Sequence, residues 1–203
     1  MAKQDPTAYH FGTALIPANY TICGVKLLPF SLGHYILLQQ TYNPIVSNDV
    51  QEMPLADTLY WFFQAILICA LPYEDNIAIM NDDKRWSELC EQFTVNLKKN
   101  MDADPSWNIY NKLKLFKDYI NFYMDIPIYT EEKSSKKEQP SGTDWLQNIY
   151  LTFKKLGYKE SEIINMNFRK LFYEWCSYAE AEGAIKVWNK MDLQSLARAK
   201  GLL

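Results

Sequence analysis

LYWFFQAILICAL, residues Leu59–Leu71, carries no charged side chain in thirteen positions, and Gln64 is its one strongly polar group. A segment this apolar either crosses a membrane or lies in the middle of a core. Length decides between them. Thirteen residues at helical rise cover about 20 Å, against roughly 30 Å of bilayer hydrocarbon. Widening the window brings in Asp57 on one side and Pro72, Glu74 and Asp75 on the other. The stretch therefore reads as a core helix buried on most sides. Asp57 falls in its first turn, where the positive end of the helix dipole favours a carboxylate. Pro72 requires the helix to stop before it.

The neighbouring segments read outward from this helix. Upstream, YTICGVKLL (Tyr20–Leu28) holds Thr, Ile and Val around Gly24, which suits a short strand or hairpin with a tight turn at the glycine. Ser31 then offers a hydroxyl to the exposed amides of a new first turn. Leu32, Tyr35, Ile36 and Leu38 follow at helical spacing until Asn43-Pro44 ends the run. Downstream, Tyr73–Met80 suits a short helix. Asn81-Asp82-Asp83 caps a longer one with Trp86, Leu89, Cys90, Phe93 and Leu97 on one stripe. Asp104-Pro105 reads as the start of a helix that ends at Pro127. Its stripe is Ile109, Leu113, Phe116, Ile120 and Tyr123, with Lys112, Lys114 and Lys117 lying off it.

TEEKSSKKEQPSG, residues 130–142, is polar, lacks aromatics and contains both Pro and Gly, so it reads as a linker. Beyond it, Trp145, Ile149, Phe153 and Leu156 share a helix face closed by Gly157. Ser161 and Glu162 suggest a short helix. Asn167 caps another that carries Phe168, Leu171, Phe172, Trp175, Cys176 and Ala179, and a last polar helix runs over 192–200. The expected fold is mainly α: a multi-helix bundle with a short N-terminal β hairpin, and a small C-terminal helical subdomain. The domains read as 1–129, built around helix 55–71, a polar linker over 130–142, and 143–203.

Composition narrows the function. With 7 Gly in 203 residues and 15% aromatics, the chain favours helices packed through bulky contacts over a turn-rich β fold. A net charge of −3 argues against nucleic acid, whose phosphates need a concentrated basic face. Lys133, Lys136 and Lys137 are interleaved with Glu131, Glu132 and Glu138, so that run is a solvated segment and not a phosphate site. The four cysteines lie far apart among apolar residues, without the paired spacing of a zinc site, and read as buried thiols. The opening MAKQDPTAYHFGT lacks the apolar run of a signal peptide, so the expected location is the cytoplasm.

Catalytic constellations are missing at the level of motif. Ser31 and His34 stand three apart and can meet across a helix turn, but no nucleophile elbow surrounds them. The plainer reading is that Ser31 caps the helix and His34 fills a half-buried position. Asp102-Ala103-Asp104 fails as a calcium loop because Trp107 and Leu113 stand where Gly and Glu are needed. No phosphate-cradling glycine loop is present. The chain reads as non-enzymatic, with no metal and no cofactor.

GVKLLPFSLGH, Gly24–His34, together with DTLYWFFQAILICALPYE, Asp57–Glu74, resembles the tail assembly chaperones of tailed phages. In that family a short β-like lead-in runs into a capped helix start, and a second apolar helix follows. The C-terminal part is similar as well, through Ile149-Tyr150, Leu156-Gly157-Tyr158, Ser161–Met166 and the Phe168 helix. The likeness covers about two thirds of the chain, and residues 73–142 have no counterpart. It implies a chaperone that holds the long tape-measure protein, or other tail proteins, in solution during tail morphogenesis. It leaves room for self-association and involves neither nucleic acid nor membrane. On this reading the candidate partner surface is Tyr119, Tyr123 and Tyr129 before the linker, and Tyr173, Tyr178 and Trp188 late in the chain. The rival is a virion component, such as a connector or tail-completion protein, that stays in the particle.

Overall fold

A computed structural model describes residues 18–47, 53–103, 107–125, 127–131 and 145–188. The described part is mainly helical, with two short antiparallel ribbons. It divides into two compact units, one spanning Ala18–Tyr123 and the other holding the described residues from Met124 onward.

The first unit begins with strands β1 (Tyr20–Ile22) and β2 (Val25–Leu27), paired Tyr20↔Leu27, Thr21↔Lys26 and Ile22↔Val25. The two-residue turn between them is Cys23-Gly24, with φ of 53° and 77°. Both central residues are left-handed, as a tight turn that follows the strand twist demands. Helix α1 (Leu32–Gln40) is capped by Ser31, whose Oγ accepts from the His34 amide. Asn43 does more than end a run. Its Oδ1 accepts from the Ile45 amide and so caps a further short helix, α2 (Pro44–Ser47), with Pro44 in the first helical position.

Helix α3 (Leu55–Ala70) contains the apolar stretch. Its sixteen residues are about 24 Å long, short of a bilayer's roughly 30 Å. No helix among the described residues is long and apolar enough to cross a membrane. Six consecutive residues, Gln64–Cys69, are buried, so this half of the helix meets protein on every side. Helices α4 (Tyr73–Met80) and α5 (Asp83–Ala103) follow. Asp82 Oδ1 accepts from the Arg85 amide and caps α5. Along the α5 stripe Phe93 and Leu97 are buried, while Trp86, Leu89 and Cys90 are half-buried.

Helix α6 (Ile109–Met124) starts later than Asp104-Pro105 and ends before Pro127. Its cap is Asn108, whose Oδ1 accepts from the Tyr110 amide at 2.8 Å; residues 104–106 lie outside the described set. Ile109, Leu113, Phe116, Ile120 and Tyr123 are all buried, in keeping with the period. Their rings join those of the earlier elements edge to face: Phe62 on Phe116 at 5.9 Å, and Phe30 on Tyr119 at 5.9 Å. Tyr119 also meets Tyr20 at 5.3 Å. Ring edges set against ring faces place the positive rim of one aromatic on the negative face of the next.

The second unit contains a ribbon that the expectation of a single β region overlooked. Strand β3 (Ile128–Glu131) pairs with β4 (Ile185–Trp188), residue 128 opposite 188 and 131 opposite 185. Thr130 and Glu131, expected to open the linker, are therefore in a strand; residues 132–142 lie outside the described set, as do 1–17 and 192–200. Helices α7 (Trp145–Lys155), α8 (Glu160–Asn165) and α9 (Phe168–Ala181) complete the unit. Gly157, at φ 91°, closes α7, its amide donating to the Lys154 carbonyl while the Tyr158 amide donates to that of Phe153. Asn167 caps α9 by accepting from the amides of Arg169 and Lys170. Cys176, Ala179 and Ile185 form a small core against which Tyr129, Trp175 and Val187 pack. Glu180 on α9 accepts from the Val187 amide at 3.0 Å, so α9 occupies the outer edge of β4 there.

Candidate functional site

The polar residues of the first unit gather at the two ends of α3, and the ends differ. At the C-terminal end three carbonyls that the helix leaves unpaired, those of Ile68, Cys69 and Leu71, find donors. Asn76 Nδ2 donates to the carbonyls of Ile68 and Leu71 at 2.9 and 3.0 Å. The Leu28 amide donates to the Cys69 carbonyl at 2.9 Å. His34 Nε2 lies 2.9 Å from the Leu71 carbonyl, while its Nδ1 lies 3.1 Å from the Ser31 amide. A carbonyl can only accept and an amide can only donate, so the ring is the neutral Nε2–H tautomer.

His34 is thus buried and not half-buried, and its meeting with Ser31 is a reciprocal cap in place of a base and a nucleophile. Neither ring nitrogen is left for a substrate. Burial lowers its pKa to about 4, partly opposed by the hydrogen bond to Leu71. Burial pushes the thiols the other way, Cys69 to about 12, Cys176 to about 12 and Cys23 to about 11, so at neutral pH they are protonated and weakly nucleophilic. All four cysteines are free thiols, three buried and Cys90 half-buried. Among the described residues no three His, Cys, Asp or Glu side chains are grouped to hold a metal ion. A groove of about 320 Å³ beside the hairpin turn is lined by Cys23, Gly24, Phe93, Leu97, Lys99 and Asn100, among others. Asn100 Nδ2 spans it to the Cys23 carbonyl at 3.2 Å.

The N-terminal end of α3 is open. Leu55 is 57% exposed and Tyr60 56%. Tyr42, in the turn before α2, is 88% exposed and in the left-handed region at φ 51°. An L-residue other than Gly, Asn or Asp held there costs about 1 kcal/mol or more, so its surroundings must impose it. The next residue supplies the constraint. Asn43 is buried, and its Nδ2 donates to the Trp61 carbonyl at 2.9 Å and to Gln64 Oε1 at 3.1 Å. This ties the Tyr42 turn to the helical turn that carries Tyr60, whose ring packs on Trp61 at 5.2 Å. The result is two exposed tyrosines, Tyr42 and Tyr60, on braced backbone, each with large contact area and few rotors to freeze.

The residues expected to face a partner are placed differently. Tyr119 and Tyr123 are fully buried, which corrects their assignment to a surface: they sit on the inward stripe of α6. Their hydroxyls donate to the carbonyls of Leu28 and Ala18, at 2.8 and 3.1 Å. Tyr129 is half-buried against Trp175, and Tyr173 is half-buried with the Arg169 guanidinium over its ring at 5.8 Å. Tyr178 is exposed, and Trp188 belongs to β4. Tyr60 stands between Leu59 and Trp61, where no period separates an exposed tyrosine from a buried one, whereas Tyr42 lies among the polar Gln39, Gln40, Thr41 and Asn43. The dipeptide Tyr42-Asn43, next to Pro44, was the available signal of a turn.

No protein-family model matches this chain, and comparison with curated proteins and with solved structures finds no match.

Proposed function

We propose that this protein is a non-enzymatic chaperone of phage tail assembly, cytoplasmic in the host, that holds the tape-measure protein in solution while tail subunits assemble. The observation that carries the reading is the pair of exposed tyrosines, Tyr42 and Tyr60, whose backbone segments Asn43 ties together at the open end of α3. Exposed tyrosines on a rigid backbone suit a partner that presents an apolar helical face, because aromatic anchors bury much area at small entropic cost. The likeness of Gly24–His34 and Asp57–Glu74 to the chaperone family adds to it. The commitment of both His34 nitrogens and the protonated state of the buried thiols are compatible with a binding role.

Co-expression with the tape-measure protein tests the reading. A complex should co-purify from the wild-type chain, and Tyr42→Ala with Tyr60→Ala should abolish it while the far-ultraviolet circular dichroism is unchanged. Failure of the wild-type chain to hold the tape-measure protein in mild salt sinks the proposal. Mass spectrometry of purified virions separates it from the structural alternative: a chaperone is absent from the particle, whereas a connector or tail-completion component is present in fixed stoichiometry.

A further inference from the structure

We propose that His34 is an acid-sensitive latch that joins the start of α1 to the end of α3 when neutral and releases them on protonation. Nδ1 faces the Ser31 amide at 3.1 Å, and Nε2 faces the Leu71 carbonyl at 2.9 Å. A proton added at Nδ1 sets a donor against a donor and breaks the cap. It also leaves a positive charge in a site that is 2% exposed.

The groups around the ring offer that charge little. On its own element it meets the Ser31 cap, and at the corner before α1 the ring of Phe30 at 6.0 Å. From α3 it meets the Leu71 carbonyl, which α4 shares through Asn76. Tyr73, Glu74 and Asp75 stand in the first turn of α4, just past Leu71; Tyr119 of α6 packs on Phe30, and Cys69 is hydrogen-bonded to Tyr119. These last two are held neutral by burial, Cys69 up to about 12 and Tyr119 well above its ordinary value, so neither supplies a counter-charge in acid. No carboxylate contributes to the shift at His34, which comes from burial opposed by Leu71 alone.

The direction follows from linkage. The unfolded histidine takes up its proton near pH 6.5, and the folded one resists until about 4. The latch is therefore fully stabilising above 6.5, weakens as pH falls from 6.5 to 4, and contributes no further loss below that. With those two values the ratio of unfolded to folded chain should rise about 20-fold between pH 7 and pH 5.

The test uses the full chain. Ring nitrogen NMR shifts should show the neutral Nε2–H tautomer of His34 still populated at pH 5, with half-protonation near 4. A ring that titrates near 6.5, or carries its proton on Nδ1, overturns the proposal. In urea titrations His34→Gln should remove the rise between pH 7 and pH 5, because Gln three residues after a capping Ser can close the same box without titrating. His10→Gln should keep it. Equal pH slopes for His34→Gln and the wild-type chain overturn the latch, and if His34→Gln fails to fold, the NMR titration of the wild-type chain decides alone.

Discussion

The two ends of α3, at Leu55 and Ala70, are built differently. At the C-terminal end, the carbonyls of Ile68, Cys69 and Leu71 receive donors from Asn76, the Leu28 amide and His34, and Gln64–Cys69 are buried without a break. At the N-terminal end Leu55 and Tyr60 face outward, and Asn43 ties the turn of a strained Tyr42 to the Trp61 carbonyl. The same apolar sequence thus serves as core at one end and as surface at the other. What separates them is the number of neighbours that tertiary structure brings to each. The closed end anchors the unit because a buried carbonyl without a donor is costly, whereas the open end tolerates exposure because water satisfies what protein does not.

The comparison can be broken most forcefully at the closed end. Leu67→Asp places an unpaired carboxylate among buried residues, and it should cost more than about 4 kcal/mol and unfold the Ala18–Tyr123 unit. Loss of its cooperative transition in circular dichroism is the readout. A variant that keeps its melting temperature would remove α3 from the centre of the fold. Asn76→Ala is the next largest. The Leu71 carbonyl keeps His34, but the Ile68 carbonyl loses the Asn76 donor, which should lower stability by about 1–3 kcal/mol in urea. Unchanged stability would mean that water reaches the end described as closed.

The open end should respond with the opposite sign. Tyr42→Asn suits the left-handed backbone at φ 51° better than tyrosine does, and it should stabilise the chain by a few tenths of a kcal/mol up to about 1. The same change removes an aromatic anchor, so partner capture in co-purification should weaken while the melting temperature rises. A gain in stability together with a loss of binding would mark Tyr42 as held in strain for its surface. A loss of stability would instead make it part of the packing, and the two ends of α3 would then differ less than the exposures indicate.

Some of this was legible from residues alone. Ser31, Asn167 and Gly157 terminate their helices as their chemistry requires, since a cap hydroxyl, an amide oxygen and a left-handed glycine act within one turn of themselves. The turn at Gly24 and the stripe from Ile109 to Tyr123 are equally local. The ribbon of β3 and β4 was not legible, because the partners are four residues each and lie more than fifty residues apart, so neither carries a periodic signal. The burial of Tyr119 and Tyr123 was not legible for a related reason. Tyrosine is amphipathic, and Tyr119 and Tyr60 each meet a ring, but Tyr119 also finds the Leu28 carbonyl and is fully buried, whereas Tyr60 stays largely in solvent.

Residues alone set Leu59–Ala70 in a helix too short to span a bilayer, because charge and proline bound it on both sides. They also determined the helical character of the chain and where most helices stop, since those choices are made by neighbours in the chain. Tertiary structure alone decided that His34 closes α1 onto α3 across thirty-seven residues, that Asn76 seals the same end, and that Asn43 braces Tyr42 in the open. A hydrogen bond between distant residues depends on which surfaces the folded chain brings within 3 Å. No local pattern encodes that distance.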